Sequence, residues 1–382
     1  MAKKLLITTE DGNYHKVKKE YLTVDGVYRR VKKAYTTIGG IYRPCWSSGE
    51  LEYYGTIKPL STTRLDLAAV TVGDYALFAG GYVSSDSVAT SKVDVYDKSL
   101  TKLSDLDIGS SIRGLTPVSF NNHALLAGGK HVFRVTDGIQ SSMSQYVRSI
   151  NSSLTIQLLD NLSVARGEVR GATNSNYAIF AGGVNLRDTI QTVVDAYNKS
   201  FTRVTVTAIS EAQKGAAASS DNHALFAGGV ISSNLCDTIE SYNTSLTKTT
   251  PTSLSIKRRS MGATSTSNHV LFGGGYHDYN TYFTSHSDVV DAYDSLLTRT
   301  VLEPLGEPRM SLGATTLDKY VLFAGGYGAS SSSKAVDAYD EALTRNIVAS
   351  LGASADNVKA VTVGEYALFT GEDGIVYAYT IT

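Results

Sequence analysis

Tyr75-Ala76-Leu77-Phe78-Ala79-Gly80-Gly81 closes an apolar run with a glycine pair, and close copies of it return down to the end of the chain. The first glycine of each copy is Gly80, Gly128, Gly182, Gly228, Gly274, Gly325 and Gly371, at intervals of 48, 54, 46, 46, 51 and 46 residues. A period of roughly 50 residues marks a repeat architecture, in which each unit buries its apolar faces against its neighbours. A continuous apolar run bounded by turn residues suits a strand covered on both sides.

The rest of each unit follows from the same alignment. In the fifth copy, Arg258 through Thr264 leads into a first strand, Ser267-Asn268-His269 turns the chain, and Val270 through Gly275 is the second strand. After a variable loop, Val290-Asp291-Ala292-Tyr293-Asp294 is a third strand and Leu297-Thr298-Arg299 starts a fourth. Four antiparallel strands per unit with no helical period predict an all-β, seven-bladed propeller. The third-strand tyrosine recurs as Tyr96, Tyr197, Tyr242, Tyr293, Tyr339 and Tyr379, with Ile150 in the second copy, and reads as core packing. The seventh copy stops after its third strand, at Val376 through Thr382, while a surplus segment precedes the first. Residues 51–60 are therefore expected to complete the last blade, which removes the two unpaired edges of an open ring. Each glycine pair is expected where a strand leaves the crowded centre of that ring.

The glycine pair, the blade pattern and the period resemble Kelch repeats over nearly all of residues 51–382. Kelch units usually carry a tryptophan after the third strand, whereas a Leu-Thr pair stands there and the single tryptophan is Trp46. The last copy also has Gly371-Glu372 in place of two glycines. The resemblance implies the fold and argues against the ubiquitin-ligase roles of eukaryotic Kelch proteins.

The first forty-odd residues repeat on a shorter scale. Val17 through Arg30 and Val31 through Pro44 are two 14-residue units, each centred on a turn signal, Asp25-Gly26 or Gly39-Gly40, and Asp11-Gly12 marks a decayed third. This predicts a small β-meander, so the chain divides into an attachment segment, 1–48, and a propeller, 49–382. Residues 1–46 hold ten Lys/Arg against four Asp/Glu, although the whole chain has a net charge of −1. So short a segment buries little surface alone and is expected to dock on a copy of itself or on another protein. It resembles a Lys-Lys/Gly-Val-Tyr-Arg repeat near the termini of virion proteins from phages of Gram-positive bacteria. The resemblance implies attachment to other virion proteins through Lys18, Lys19, Tyr28, Arg29, Arg30, Lys32, Lys33, Tyr42, Arg43 and Trp46.

Near-neutral charge gives no field to recruit nucleic acid or a membrane surface. With two cysteines, Cys45 and Cys236, there is no disulfide framework, and neither a signal-peptide run nor an 18-residue apolar span is present. The expectation is a soluble protein made in a cytoplasm, without cofactor.

Strand order places the short first-to-second and third-to-fourth turns on one face of the ring and the variable second-to-third loops on the other, where binding is expected. That face is also expected to carry a basic ring. Arg64, Arg166, Arg258 and Arg309 each lie 16 residues before their glycine and Arg113 lies 15 before. Such arginines suit either anion binding or bonds to carbonyls between blades, and recurrence favours the second. The fifth-copy loop is the leading recognition candidate: Tyr279, Tyr282 and Phe283 suit stacking on sugar faces, and Asp278 and Asn280 suit hydroxyls. His277, Asp278, His286 and Asp288 fit no metal-ligand spacing, and His123, His223 and His269 share one turn position. Sialidase-type and copper-oxidase signatures are lacking, although paired carboxylates for glycoside cleavage are not readable from sequence. The expected function is a non-enzymatic phage virion protein, assembled in the host cytoplasm, whose propeller recognises a bacterial surface glycan or protein. The alternatives are a decoration protein without host ligand and a polysaccharide depolymerase, and a homo-oligomer is compatible with each.

Overall fold

A computed structural model describes residues 49–382 apart from 211–213, 232–233 and 278–284, together with the backbone of six strands between residues 6 and 47. It contains seven four-stranded antiparallel sheets among the described residues. In blade 1 the order from the centre outward is Ala68–Val72, Tyr75–Ala79, Lys92–Asp97 and Leu106–Asp107. Blades 2 to 6 repeat it around the first strands Thr116–Phe120, Arg170–Thr173, Ala216–Ser219, Gly262–Ser265 and Gly313–Leu317. Blade 7 begins with Lys359–Val363. Each first strand neighbours the first strands of the blades before and after it, and Lys359–Val363 neighbours Ala68–Val72, so the ring closes.

Closure is made as expected. Leu51–Ile57 pairs antiparallel with Val376–Ile381 as the outer strand of blade 7, with Tyr379 opposite Tyr53. The Tyr53 and Tyr379 rings touch at 5.3 Å between centroids. A bulge between Ala378 and Tyr379 is matched by Gly55 at φ +128°.

The first strands are built for a narrow centre. Their second residues, which include Ala69, Pro117, Gly171 and Ala360, are all small, and their fourth residues are all Ser or Thr: Thr71, Ser119, Thr173, Ser219, Ser265, Thr316 and Thr362. Some of these hydroxyls stitch one blade to the next. Thr71 donates to the Thr362 carbonyl at 2.5 Å, Thr362 to Thr316 at 2.7 Å and Thr316 to Ser265 at 2.6 Å. The apolar cores lie between blades, as in the cluster that joins Ala76, Phe78 and Tyr96 of blade 1 to Val361, Leu368 and Ala378 of blade 7.

The glycine pair differs from its expected role. It is a joint between blades, not an exit from the centre. The second glycine donates its N–H to the next blade's entry segment: Gly81 to Ile112 O, Gly129 to Arg166 O, Gly229 to Arg258 O, Gly275 to Arg309 O and Gly326 to Ala355 O, all at 2.8–3.0 Å. That same carbonyl leaves no room for a side chain on the first glycine. A Cβ on Gly274, at φ +66°, would stand 2.6 Å from Arg309 O.

The Leu-Thr pair fills the place of the missing tryptophan by an unusual turn. Leu100, Leu154, Phe201, Leu246, Leu297 and Leu343 all have φ between +58° and +64°, rare for bulky residues. The preceding Asp or Asn holds the turn; Asp97 Oδ1, for example, accepts from Ser99 N and Thr101 N at 2.8 and 2.9 Å. In return each bulky side chain packs on an inter-blade cluster, Leu100 against that of blades 1 and 7 and Phe201 against that of blades 2 and 3.

In the N-terminal segment the described strands pair as three hairpins, Leu6–Thr8 with Tyr14–Lys16, Glu20–Val24 with Val27–Val31, and Lys33–Ile38 with Ile41–Ser47. The pairings Val24↔Val27 and Ile38↔Ile41 agree with the two-residue turn signals. Tyr28, Arg29, Arg30, Lys33, Tyr42, Arg43 and Trp46 lie on these strands. Lys18, Lys19 and Lys32 lie outside the described residues.

Candidate binding face

The expected basic ring is not displayed. Arg64, Arg166, Arg258 and Arg309 are buried to within 1% of complete, inside the blade walls. Each Nη2 reaches a third-strand carboxylate, at Asp94, Asp195, Asp291 and Asp337, over 2.6–2.9 Å. Each also donates to a second-strand carbonyl, at Phe78, Phe180, Phe272 and Phe323. A second cation from the segment after the third-strand turn, such as Lys102 at 2.5 Å from Asp94 or Arg345 at 2.7 Å from Asp337, completes the clamp. Burial alone raises the Asp94 carboxyl, but Arg64, Lys102 and the Ser61 N–H outweigh it and hold the group below the usual carboxylate range. Guanidinium groups held in this way are scaffold. The third-strand tyrosines are also scaffold: each is fully buried and donates its hydroxyl to the incoming connection, as Tyr96 does to Lys58 O and Tyr293 to Thr252 O.

Arg113 behaves differently. It is half-buried on the loop face, stacked over the Tyr82 ring at 5.0 Å and 3.4 Å from Asp66. Its equivalent in blade 5 is Arg259, one residue after Arg258, which lies 4.7 Å over the Tyr276 ring.

Around Tyr276 the described part of the fifth-copy loop gathers planar groups from two blades. The His286 ring stands 6.3 Å from Tyr276 and 5.9 Å from Tyr327 of blade 6. His277 Nε2 lies 2.9 Å from the His286 carbonyl, which ties the two ends of the loop together. Burial, and then the charge of His277, push the His286 ring below its usual value, which favours its neutral form. Asp278, Tyr279, Asn280, Tyr282 and Phe283 lie outside the described residues. Arg259, Tyr276, His286 and Tyr327 are all half-buried. Arg259 and Tyr327 were missed in the sequence because they stand outside the long loop, at positions that look like ordinary repeat residues.

The loop face is uneven elsewhere too. Blade 1 adds the hairpin Tyr82–Val83 and Val88–Ala89, and blade 2 a three-stranded sheet of Ile112–Arg113, Lys130–Val135 and Gly138–Met143. Blade 4 extends its middle strands to His223–Ile231 and Asn234–Asn243. The opposite face carries short turns, including the histidine positions: His123 Nδ1 meets the Asn121 carbonyl at 2.9 Å and His223 Nδ1 meets the Ser241 hydroxyl at 3.0 Å. They are turn residues on separate blades.

The central cavity at the loop face, about 410 Å³, is walled mostly by Ala, Gly and Val, with Asp66, Arg170 and Lys359 among its lining. Carboxylates meet at the seam of blades 7 and 1, where burial and then Asp356 raise the Glu372 carboxyl. Lys359 and Asn357 close that seam at 2.8 Å, and it encloses no space for a water molecule. A glycosidase pair needs room for sugar and water between its carboxylates, and this seam lacks it. Among the described residues no group of three His, Cys, Asp or Glu is placed to hold a metal.

No protein-family model and no curated protein matches the sequence. Among solved structures, the Kelch-like protein YjhT superposes with a TM-score of 0.58 at 10% identity, over 76% of this chain and 99% of its own. The chain has a propeller-like all-β fold. With 805 solved chains matching, the fold is too widely shared to select an activity.

Proposed function

We propose that this protein is a non-enzymatic recognition module of a phage virion, attached to the particle through residues 1–48 and binding a host-surface glycan or protein with its loop face. The observation that carries the reading is the contrast between the faces. One repeats the same short turns around the ring, while on the other the elaborations differ from blade to blade and bring half-buried aromatic rings together. A rigid ring with one diversified face is the arrangement expected of a binding scaffold. The Arg259, Tyr276, His286 and Tyr327 cluster is the proposed contact, since partly exposed rings and a stacked guanidinium suit sugar faces and interface aromatics. The virion assignment rests on the resemblance of residues 3–46 alone.

Binding of the purified full chain to cell-wall polysaccharide and whole cells of Gram-positive bacteria tests the reading. Tyr276→Ala with Tyr327→Ala is expected to weaken binding at least tenfold, roughly the loss of one good stacking contact, with an unchanged fold by circular dichroism. Equal binding by the variant removes the cluster from the proposal. Shortened polysaccharide chains would replace recognition by depolymerisation.

A further inference from the structure

The sheet that blade 2 projects from the loop face ends in an unguarded edge. Gly138–Met143 pairs with Lys130–Val135 on one side and no described strand covers the other, which is closed only past its end, where Arg166 N donates to Ser144 O at 3.0 Å and Met143 packs near Gly167. The outer edges of blades 1 to 6 are only two to four residues long. The longer outer strand of blade 7 carries Glu52 and a bulge. Short length, charge and bulges are the usual guards against edge pairing. Gly138-Ile139-Gln140-Ser141-Ser142-Met143 is six residues long and has no charge, proline or bulge. It is exposed over most of its length, with Ile139 at 51%, and Phe133 of the paired strand is also exposed.

We infer that this edge pairs with the same edge of a second copy of the chain. An antiparallel pair about a two-fold axis normal to the sheet must place one residue opposite itself, because directly opposed side chains share a face. Centred on Ser141, that pairing sets Ile139 opposite Met143, Gln140 opposite Ser142 and Ser141 opposite its own copy. Apolar meets apolar, polar meets polar, and no like charges face one another. The sequence of the strand is thus symmetric in polarity about Ser141, which a two-fold contact requires and a foreign peptide does not. The projecting sheet is buttressed from behind, since Arg134 Nη2 donates to Asp86 O of the blade 1 hairpin at 2.8 Å. A single strand pair buries less than the ~1,200 Å² typical of stable complexes, so the dimer is expected to form on the order of micromolar concentration. Two loop faces would then act together, and their avidity would exceed the affinity of either.

Ser141→Cys in the full chain carrying Cys45→Ser tests the contact. Paired residues in antiparallel strands lie about 4.5–5.5 Å apart at Cα, within disulfide reach. Mild oxidation is expected to give a covalent dimer, far faster than Leu296→Cys, which is 84% exposed on the opposite face. Adding Ile139→Lys should reduce cross-linking at least tenfold and shift wild-type-like sedimentation to the monomer, with an unchanged thermal midpoint as the folding control. Should Ile139→Lys lower that midpoint, Ser142→Lys takes its place. Cross-linking no faster than at position 296, or unaffected by either lysine, would overturn the inference, including the case in which another segment of the same chain covers the edge.

Discussion

Blades 1, 3, 5 and 6 hold a buried arginine against a third-strand aspartate, and blades 2, 4 and 7 do not. The difference shows that the fold does not require this ion pair in every blade. In blade 2 the arginine position is Ile112 and the aspartate position is Arg148, a buried side chain whose guanidinium donates to Ile108 O and the Ser110 hydroxyl. In blade 4 the acid is Glu240, which accepts from Ser210 N and Lys248 Nζ. There Arg170 enters from blade 3 and lies over the Phe226 ring at 5.6 Å. Blade 7 has Ala355 and Tyr377 instead, and Tyr377 donates to Asp373 at 2.9 Å. What blade 7 lacks in internal ion pairing it receives from the other end of the chain, through Leu51–Ile57.

The largest effect should come from removing that strand. Deleting residues 49–57 exposes both the edge of Val376–Ile381 and the apolar faces of blade 7, and is expected to abolish the cooperative thermal transition seen by calorimetry. A truncated chain with the parental midpoint would mean that closure contributes nothing. Next, Asp291→Ala in blade 5 leaves Arg258 buried without its counter-charge, a loss of about 3–5 kcal/mol in chemical denaturation. Glu240→Ala in blade 4 is expected to cost less, because the Lys248 of its ion pair is a quarter exposed and can turn to water, and Arg170 loses a nearby charge but no direct bond. Equal losses at the two positions would erase the distinction between the blades.

The same comparison separates two roles of glycine. Gly274→Ala meets both a left-handed backbone and the Arg309 carbonyl, and should destabilise by about 2–3 kcal/mol. Gly114, at φ +62°, has no atom within 4 Å of a Cβ and should tolerate alanine at about 1 kcal/mol. Urea denaturation of both variants measures the difference as the cost of the inter-blade joint.

Much of this was legible in the sequence, because period and apolar pattern are local signals that seven copies repeat. The glycine spacing marked the sheets, and the missing fourth strand at Thr382 marked the closure. The arginines were also in view, yet their role depends on a partner about thirty residues away, such as Asp94 for Arg64. A usable signal was present: an arginine 16 residues before the glycine occurs only in copies with aspartate two residues before the tyrosine, as in Asp94-Val95-Tyr96, and fails where Arg148, Glu240 or Tyr377 stands there. Arg259 and Tyr327 were not legible, since their meeting with Tyr276 and His286 depends on how blades 5 and 6 sit together. The strand Gly138–Met143 was concealed in the longest repeat interval, where serine and glutamine read as loop.

The smallest effect distinguishes a native cation from a substituted one. Arg258 is tied by three hydrogen bonds, to Val289 O, Phe272 O and Asp291. Arg170 enters blade 4 from blade 3, and both its Nε and Nη2 find no hydrogen-bond partner, whereas Arg258 lacks one only at Nε. Burial pushes its guanidinium below the usual value, and the nearby charge of Glu240 offsets this only in part. A buried, incompletely bonded charge is often replaced by an apolar side chain of similar length without loss. Arg170→Met is therefore expected to change stability by less than about 1 kcal/mol, or to raise it, since Glu240 keeps Lys248 and Ser210. Arg258→Met should lose several times as much. Measured by urea denaturation, a large loss at Arg170 would mean that blade 4 depends on its borrowed arginine as blade 5 depends on its own.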